Sequence, residues 1–447
     1  MTFEELKRVV RDAGIAGCGG AGFPAYAKLD KRADTIILNC AECEPLFKVH
    51  RQVLERYAFE ICTALDIIAG AVGADEFIVA VKGEYKDTVA AVKAVLPQFE
   101  KGKISLLPEV YPAGDEVVTI YEATGRVVPA GNIPISVGVT VFNVETAYNI
   151  YNAVKNGTPV THKFVTVAGE VNKPQTYRVP IGTSFERLIE MSGGIKRRDI
   201  RIINGGPMTG FLATKYDVVK KNTNGILILP EDNPVVIKKS QNTNISVLRA
   251  KSTCCQCRMC TDLCPRNLLG QPIRPNEFMK AVATGKTPDI PVLVDAMYCV
   301  SCGICEMYAC NQGLSPRSLI AEFKANMRKN GVRVTPVETP EPVKPQREYR
   351  KVPMSRLKER LGLTAYDIDA PMVSESADCD TYKIMLSQHI GTPSELAVKV
   401  GDKVRAGDII GKCAEDKLCV PVHSSVCGEV VQAEQGFAVI KAQDEVI

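Results

Sequence analysis

Two cysteine runs decide most of what this chain can become. The first reads Cys254-Cys255-Gln256-Cys257-Arg258-Met259-Cys260-Thr261-Asp262-Leu263-Cys264-Pro265, the second Cys299-Val300-Ser301-Cys302-Gly303-Ile304-Cys305-Glu306-Met307-Tyr308-Ala309-Cys310. A Cys-x2-Cys-x2-Cys loop lets three thiolates converge on three irons of one cubane, and where two such runs share a chain the fourth thiolate comes from the other run. That logic assigns Cys254, Cys257, Cys260 and Cys310 to one [4Fe–4S] cluster, and Cys299, Cys302, Cys305 and Cys264 to a second. Pro265 follows the fourth cysteine of the first run, as the pattern asks. The second run departs from it, with four residues before Cys310 and Asn311 after it. Cys255 therefore stays open as an alternative ligand. Zinc sites use paired Cys-x2-Cys knuckles rather than triplets, and disulfides call for an oxidising compartment that nothing here signals. Iron–sulfur pairs carry single electrons, so the rest of the chain must hold a donor or an acceptor.

A chain of 447 residues has room for about two to four domains. A net charge of +4 is too small to argue for nucleic acid or an anionic membrane surface. The start, Met1-Thr2-Phe3-Glu4-Glu5, lacks the apolar region of a secretory signal. The most apolar stretch, 57–81, is broken by Glu60, Asp66, Asp75 and Glu76, so no transmembrane helix is expected. The 17 cysteines without an export signal point to a reducing cytoplasm.

Phe3, Leu6, Val9 and Val10 recur at helical spacing and predict a helix over 3–13. Gly17, Gly19 and Gly22 then satisfy G-x-G-x-x-G, although the loop follows a helix and not a strand. Pro24 suits the first position of a helix running to about residue 31, whose positive end would face the loop and suit an anion. Strands are expected at 35–38, 76–81, 104–107 and 139–142, and helices at 51–70, 85–95 and 115–124. Alternation of this kind indicates a mostly parallel sheet. Four loops follow the glycine turn or strand ends: the glycine loop itself, Asn39 to Pro45, Tyr111 to Glu116, and Asn143 to Thr146. Ligands of open α/β sheets sit at such ends.

Gly19-Gly20-Ala21-Gly22-Phe23-Pro24 with Lys28, and those three further loops, resemble the flavin-bearing NADH-oxidising subunit of respiratory complex I. More closely they resemble the C subunit of the Rnf ion-translocating complex and the cobalamin reductases of propanediol-utilisation microcompartments. The resemblance implies that the glycine loop (Gly19, Gly20, Ala21, Gly22) and the loop around Asn143 and Thr146 bind FMN. Lys28, Asn39, Tyr111 and Gly114 belong to the same motifs. It implies that Glu42, Glu44 and Glu116 lie near FMN and the nicotinamide, and Phe23 near the nucleotide base. Asp115 stands where complex I has a glutamate.

The fold class expected is multidomain α/β. Residues 1–158 form the FMN/NADH-binding α/β domain and 159–240 a β-grasp domain of the soluble-ligand-binding type, read as a spacer without a ligand of its own. A helical two-cluster ferredoxin-type domain spans 241–334. Its Arg258, Arg266 and Arg317 read as solvated charge. A proline-rich linker and short helix occupy 335–379, and 380–447 resembles a barrel-sandwich hybrid domain. Glu415-Asp416-Lys417 raises the question of lipoylation, which no expected reaction requires.

The implied activity takes electrons from NADH through FMN and two [4Fe–4S] clusters to cobalamin, for adenosylcobalamin regeneration. No nucleophile or acid–base residue is expected. Implied partners are cobalamin or a corrinoid adenosyltransferase, and a microcompartment shell or electron-transfer protein, with a cytoplasmic location inside a microcompartment. The chain lacks an Asp-x-His-x-x-Gly corrinoid motif, since His389 has no matching context. The alternatives are an Rnf C-like NADH:ferredoxin electron-transfer protein and a non-enzymatic electron-wire protein.

Overall fold

The computed structural model describes residues 1–20, 22–286, 289–374, 377–414 and 416–443. Ala21 and Glu415 lie outside them.

The N-terminal domain begins with the expected helix, Phe3–Asp12. Thr2 accepts from the Glu5 amide while Glu5 reaches back to the Thr2 amide, a reciprocal capping box. The sheet has four parallel strands in the order Gly102–Leu107, Glu76–Lys82, Thr35–Cys40, Val139–Asn143. Alternate residues face opposite layers. Ile36, Leu38, Phe77 and Val79 pack with the helices Ala58–Val72 and Val144–Asn156, whereas Ile37, Ile78, Ala80 and Val141 pack with the helix Glu116–Thr124. The chain reverses its winding between Thr35–Cys40 and Val139–Asn143, which puts a crevice at the carboxyl ends of those two strands.

Two helices differ from expectation. The one expected over 51–70 is two, Val49–Arg56 and Ala58–Val72, parted at Tyr57. Tyr57 leaves helical geometry with its ring packed 4.5 Å from Tyr148 and 6.3 Å from Phe164. The helix expected from Pro24 to 31 is a single 3-10 turn, Ala25–Lys28. The Gly17 amide bonds to the Phe23 carbonyl (2.8 Å) and Ala25 to Ile15 (3.0 Å), so the loop closes on itself. A four-residue turn has no dipole to offer an anion.

The second domain pairs His162–Gly169 antiparallel with Gln175–Pro180 and parallel with Gly225–Pro230, with the helix Phe185–Met191 packed in its core. Strands Ile200–Asn204 and Phe211–Ala213 complete one edge, and Met372–Val373 adds to the other. The helices Thr243–Thr253, Pro275–Thr284 and Pro316–Lys329 carry the cysteine runs around a core of Ala250, Phe278, Met279, Leu319 and Ile320.

The proline-rich segment is extended and held in place. Val337 bonds to the Ala130 carbonyl (2.9 Å) and Lys344 to that of Leu268 (2.9 Å). Val352–Pro353 pairs antiparallel with Val110–Tyr111. The tail forms two small sheets, one built on Thr381–Met385, Phe437–Ala442 and Gly428–Glu434, the other on Glu395–Leu396, Ile409–Lys412 and Val422–His423. Its buried Tyr382, Ile384, Ile410 and Ile440 are continuous with the core of the N-terminal domain.

Candidate active site

A cleft with two connected lobes opens at the crevice. One lobe, about 720 Å³, is lined by Gly19, Gly20, Gly22, Phe23, Lys28, Glu116, Asn143 and Thr146 among others. The other, about 580 Å³, is lined by Asn39, Glu42, Glu44, Tyr111, Gly114, Asp115 and again Asn143. Gly19, Gly20, Asn39, Gly114 and Asn143 face both. The fold thus brings every described candidate of the flavin set to one cleft, of the size class that takes cofactors.

The glycines are there for clearance. A Cβ on Gly19 would stand 2.5 Å from Asn143 Nδ2, whereas one on Gly20 would meet nothing within 4 Å and project into open space. Gly22 has φ +78°, which side chains rarely adopt. On the far wall the N-termini of the helices Glu116–Thr124 and Val144–Asn156 open on the cleft, capped by Asp115 and Asn143. The start of Val144–Asn156, a bare glycine edge and Lys28 suit a flat, anionic cofactor such as a flavin phosphate.

The carboxylates do more structural work than the sequence suggests. Glu42 sits at φ 39° and accepts from the His50 (2.9 Å) and Arg51 (3.5 Å) amides, capping the helix Val49–Arg56. Burial raises its pKa above the usual carboxylate range. Glu44 accepts from the Met208 (2.8 Å) and Thr209 (2.7 Å) amides of the β-grasp domain. Asp115 accepts from the Val117 (3.1 Å) and Val118 (3.2 Å) amides and pairs with Arg266 of the cluster domain at 3.0 Å. Lys28 pairs with Glu116 (2.9 Å) and donates to the Val141 carbonyl (3.0 Å). Asn39 spans the Gly114 carbonyl (2.9 Å) and the Ala41 amide (3.1 Å), and Thr146 accepts from the Cys18 amide (3.0 Å).

The cysteines separate into two groups. Cys254, Cys257, Cys260 and Cys310 surround one small cavity, with Cys255 also on its wall. The half-buried Cys260 thiol is pushed up to about 12 by desolvation, then by Cys310, Cys257 and Cys254 beside it. Cys264, Cys299, Cys302 and Cys305 gather in the second group, where burial raises Cys302 and the neighbouring Cys264 and Cys299 add to it. Iron must displace the protons of such thiols to hold a cluster. Gln256, Arg258 and Ser301 take φ of 56°, 65° and 57°. Each such turn costs about 1–2 kcal/mol in a non-glycine residue, and together they wrap the loops around their sulfurs. Amides of Ser301 and Leu314 donate to Cys299 and Cys310 Sγ, both at 3.3 Å.

The second group meets the cleft. Val300, Ser301 and Cys302 line it, and the Tyr111 hydroxyl donates to the Cys302 carbonyl at 2.5 Å. In the first group Cys255 and Cys257 are exposed. The cysteine groups are therefore ordered from cleft to surface.

The sequence reading missed several wall residues. The β-grasp domain is no bare spacer: Asn204, Gly206, Thr209, Phe211, Asn222 and Asn224 line the cleft. The Gly205-Gly206-Pro207 turn was its visible signal, because only glycine fits where Gly206 passes Glu44 (a Cβ would come within 2.2 Å). His50 faces the cleft with Nε2 3.2 Å from Asn143 Nδ2, and burial lowers its pKa to about 3, so it is neutral. Arg266 and Arg317 are not solvated: Arg266 is in the buried pair with Asp115, and Arg317 lines the cleft with its buried Nε unpartnered among the described residues. Among the described cysteines, Cys413 and Cys419 are bonded to each other, a pairing the sequence reading did not assign. Lys417 is half-exposed beside Glu395 (3.8 Å).

Comparison with known proteins matches each part. The Nuo51 FMN-binding domain matches residues 10–152, the SLBB domain 164–212, a 4Fe-4S dicluster domain 253–315 and the RnfC barrel-sandwich hybrid domain 370–447. The cobalamin reductase PduS of Salmonella typhimurium is 38% identical over 99% of this chain and 97% of its own. That of Citrobacter freundii is 38% identical over 98% and 97%. The chain belongs to the PduS family. The C subunit of the proton-translocating ferredoxin:NAD(+) oxidoreductase complex of Clostridium ljungdahlii is 34% identical over 60% of this chain and 57% of its own. With an FMN domain of the NADH-oxidising type and a dicluster domain, this PduS-family chain is an NADH-dependent oxidoreductase using FMN and [4Fe–4S] clusters. A flavin-free electron wire does not fit it. Among the described residues no helix is long and apolar enough to cross a membrane.

Proposed function

We propose that this chain takes electrons from NADH at the cleft and delivers them, through the group Cys264, Cys299, Cys302, Cys305 and then the group Cys254, Cys257, Cys260, Cys310, to the cobalt of a corrinoid. The carrying observation is the likeness to two cobalamin reductases over 97% of their length, set against 57% for the C subunit of the ion-translocating complex.

Bound FMN supplies the change of currency, accepting a hydride's two electrons and releasing them singly. The chain's residues support this by position. Gly19, Gly20 and Gly22 leave room for a flat ring, and Lys28 stands beside the strand Val139–Asn143 to meet negative charge. Glu44, Asp115 and Tyr111 clamp the β-grasp and cluster domains onto the cleft, so the reacting site and Cys302 share one wall. The exposed Cys255 and Cys257 mark where electrons leave. Cob(III)alamin takes one electron to become cob(II)alamin and a second to become cob(I)alamin, so one NADH covers both. An adenosyltransferase would consume the product, and a microcompartment is the setting suggested by the relatives' names.

The test is anaerobic. Protein with quantified iron and FMN is mixed with NADH and cob(III)alamin, with free flavin excluded because it reduces cobalamin unaided. Reduction that depends on bound flavin and iron supports the reading. If NADH bleaches the protein while cobalamin stays oxidised and an added ferredoxin is reduced instead, the acceptor is a protein, as the Rnf C likeness would have it.

A further inference from the structure

The tail domain contains a cluster of ligating atoms that the electron path does not use. His389, Cys413 and Cys419 each present one ligand atom, all within 4.8 Å of one another. We propose that, with both thiols reduced, these three residues bind a thiolate-preferring divalent metal ion of the zinc class.

The imidazole is set for the task. Its Nδ1 lies 3.0 Å from the Ile390 carbonyl, which can only accept, so the proton sits on Nδ1 and Nε2 keeps its lone pair. A backbone carbonyl fixing the tautomer in this way is the usual support of a metal-binding histidine. Nε2 accepts a long hydrogen bond from the Val420 amide (3.3 Å), which a metal would displace. Cys419 is buried and Cys413 partly so, with Cα atoms 5.8 Å apart. Ser394 donates its hydroxyl proton to the Val420 carbonyl (3.0 Å), and its Oγ stands 3.6 Å from Cys413 Sγ and 3.8 Å from Cys419 Sγ, an oxygen whose lone pairs are placed to fill a fourth position. Two sulfurs and one nitrogen with a fourth place for oxygen is a donor set that zinc accepts.

The bonded pair is the oxidised alternative to the metal-loaded form. Opening it takes two electrons and two protons, supplied by two molecules of a low-molecular-weight thiol that are themselves joined as a disulfide. Metal binding then releases one proton from each thiol. The compartment favours the open form, since the chain's other cysteine groups must themselves stay reduced to hold iron. The site lies behind the glycine loop: the Ile390 amide donates to the Gly22 carbonyl at 3.0 Å, and a Cβ on Gly22 would lie 3.2 Å from His389 Cα. A metal here would fix the segment against which that loop rests.

The test uses the full chain, purified anaerobically with a thiol reductant, and counts every transition metal. The expected result is about one zinc per chain beyond the cluster iron, with X-ray absorption at the zinc edge showing two sulfurs at about 2.3 Å and nitrogen at about 2.0 Å. The double variant Cys413→Ser, Cys419→Ser should lower zinc about tenfold or more with iron and FMN unchanged. Absence of non-iron metal from the wild type, zinc held by sulfur alone, or zinc retained in the double variant would overturn the proposal. The absorption measurement needs no variant, so a misfolded mutant does not blunt the test.

Discussion

At the scale of single residues the site depends on what is small and what is paired. Gly19 has no space for a side chain beside Asn143. Gly19→Ala should therefore purify with iron but with FMN lowered severalfold, read by flavin absorbance after denaturation. The Asp115–Arg266 pair, with side chains only 8% and 13% exposed, is the main ionic tie between flavin and cluster domains. Arg266→Met leaves a buried carboxylate without its partner, a loss of about 3–5 kcal/mol, which denaturant unfolding would read. Tyr111→Phe removes the donor to the Cys302 carbonyl and should cost about 1–3 kcal/mol while iron content holds. The sequence disclosed Asp115, Tyr111 and Arg266 as residues, but not their partners. Those partners lie 151 and 191 positions away, and no local pattern encodes a contact of that range.

At the scale of elements, strands and most helices were legible because each carries its own period. The strands Thr35–Cys40 and Glu76–Lys82 are buried on both faces and read as apolar runs, as strands of a covered parallel sheet do. What misled was tertiary in origin. Nothing near Tyr57 in sequence announces the packing against Tyr148 and Phe164 that breaks its helix. Likewise Pro24 starts a turn that ends early, because the loop before it is closed by Gly17 and Phe23. Glu42 and Glu44 looked like ligand acceptors, and both line the cleft, yet their oxygens hold a helix start and the β-grasp turn. Glu42→Ala should remove a helix cap worth about 0.5–2 kcal/mol. The accompanying loss of FMN should be smaller than in Gly19→Ala, a contrast equilibrium dialysis would show.

At the scale of the whole molecule, the cleft is shared property. The flavin, β-grasp and cluster domains all supply its walls, and the tail domain shares the core of the flavin domain. The cysteine runs made the relay legible from sequence, whereas the ordering of the two groups required the fold. Lys221 shows how tightly the domains lock. Its buried Nζ donates to the Gly14 (2.7 Å) and Pro421 (2.8 Å) carbonyls, and burial pushes its pKa down from 10.5 to about 7. Unfolded, that amine keeps its proton up to about pH 10.5; folded, it releases it near pH 7. The unfolded state thus binds more protons between those values. The contribution of Lys221 to stability should rise across the window by about 1.4 kcal/mol per pH unit and fall as pH returns toward 7. Lys221→Met should flatten that slope in thermal unfolding.

The proposed electron path runs from the cleft to the near cysteine group and then to the surface group, and one pair of variants tests that order. Cys302→Ala and Cys257→Ala should each lose one cluster, seen as halved iron. Both are mixed with NADH without oxygen and freeze-quenched for electron paramagnetic resonance. Cys257→Ala should still show rapid reduction of its remaining cluster, whereas in Cys302→Ala the flavin should bleach while the remaining cluster stays oxidised on the same timescale. Equal reduction of the surviving cluster in both variants, or iron unchanged in either, would overturn that order.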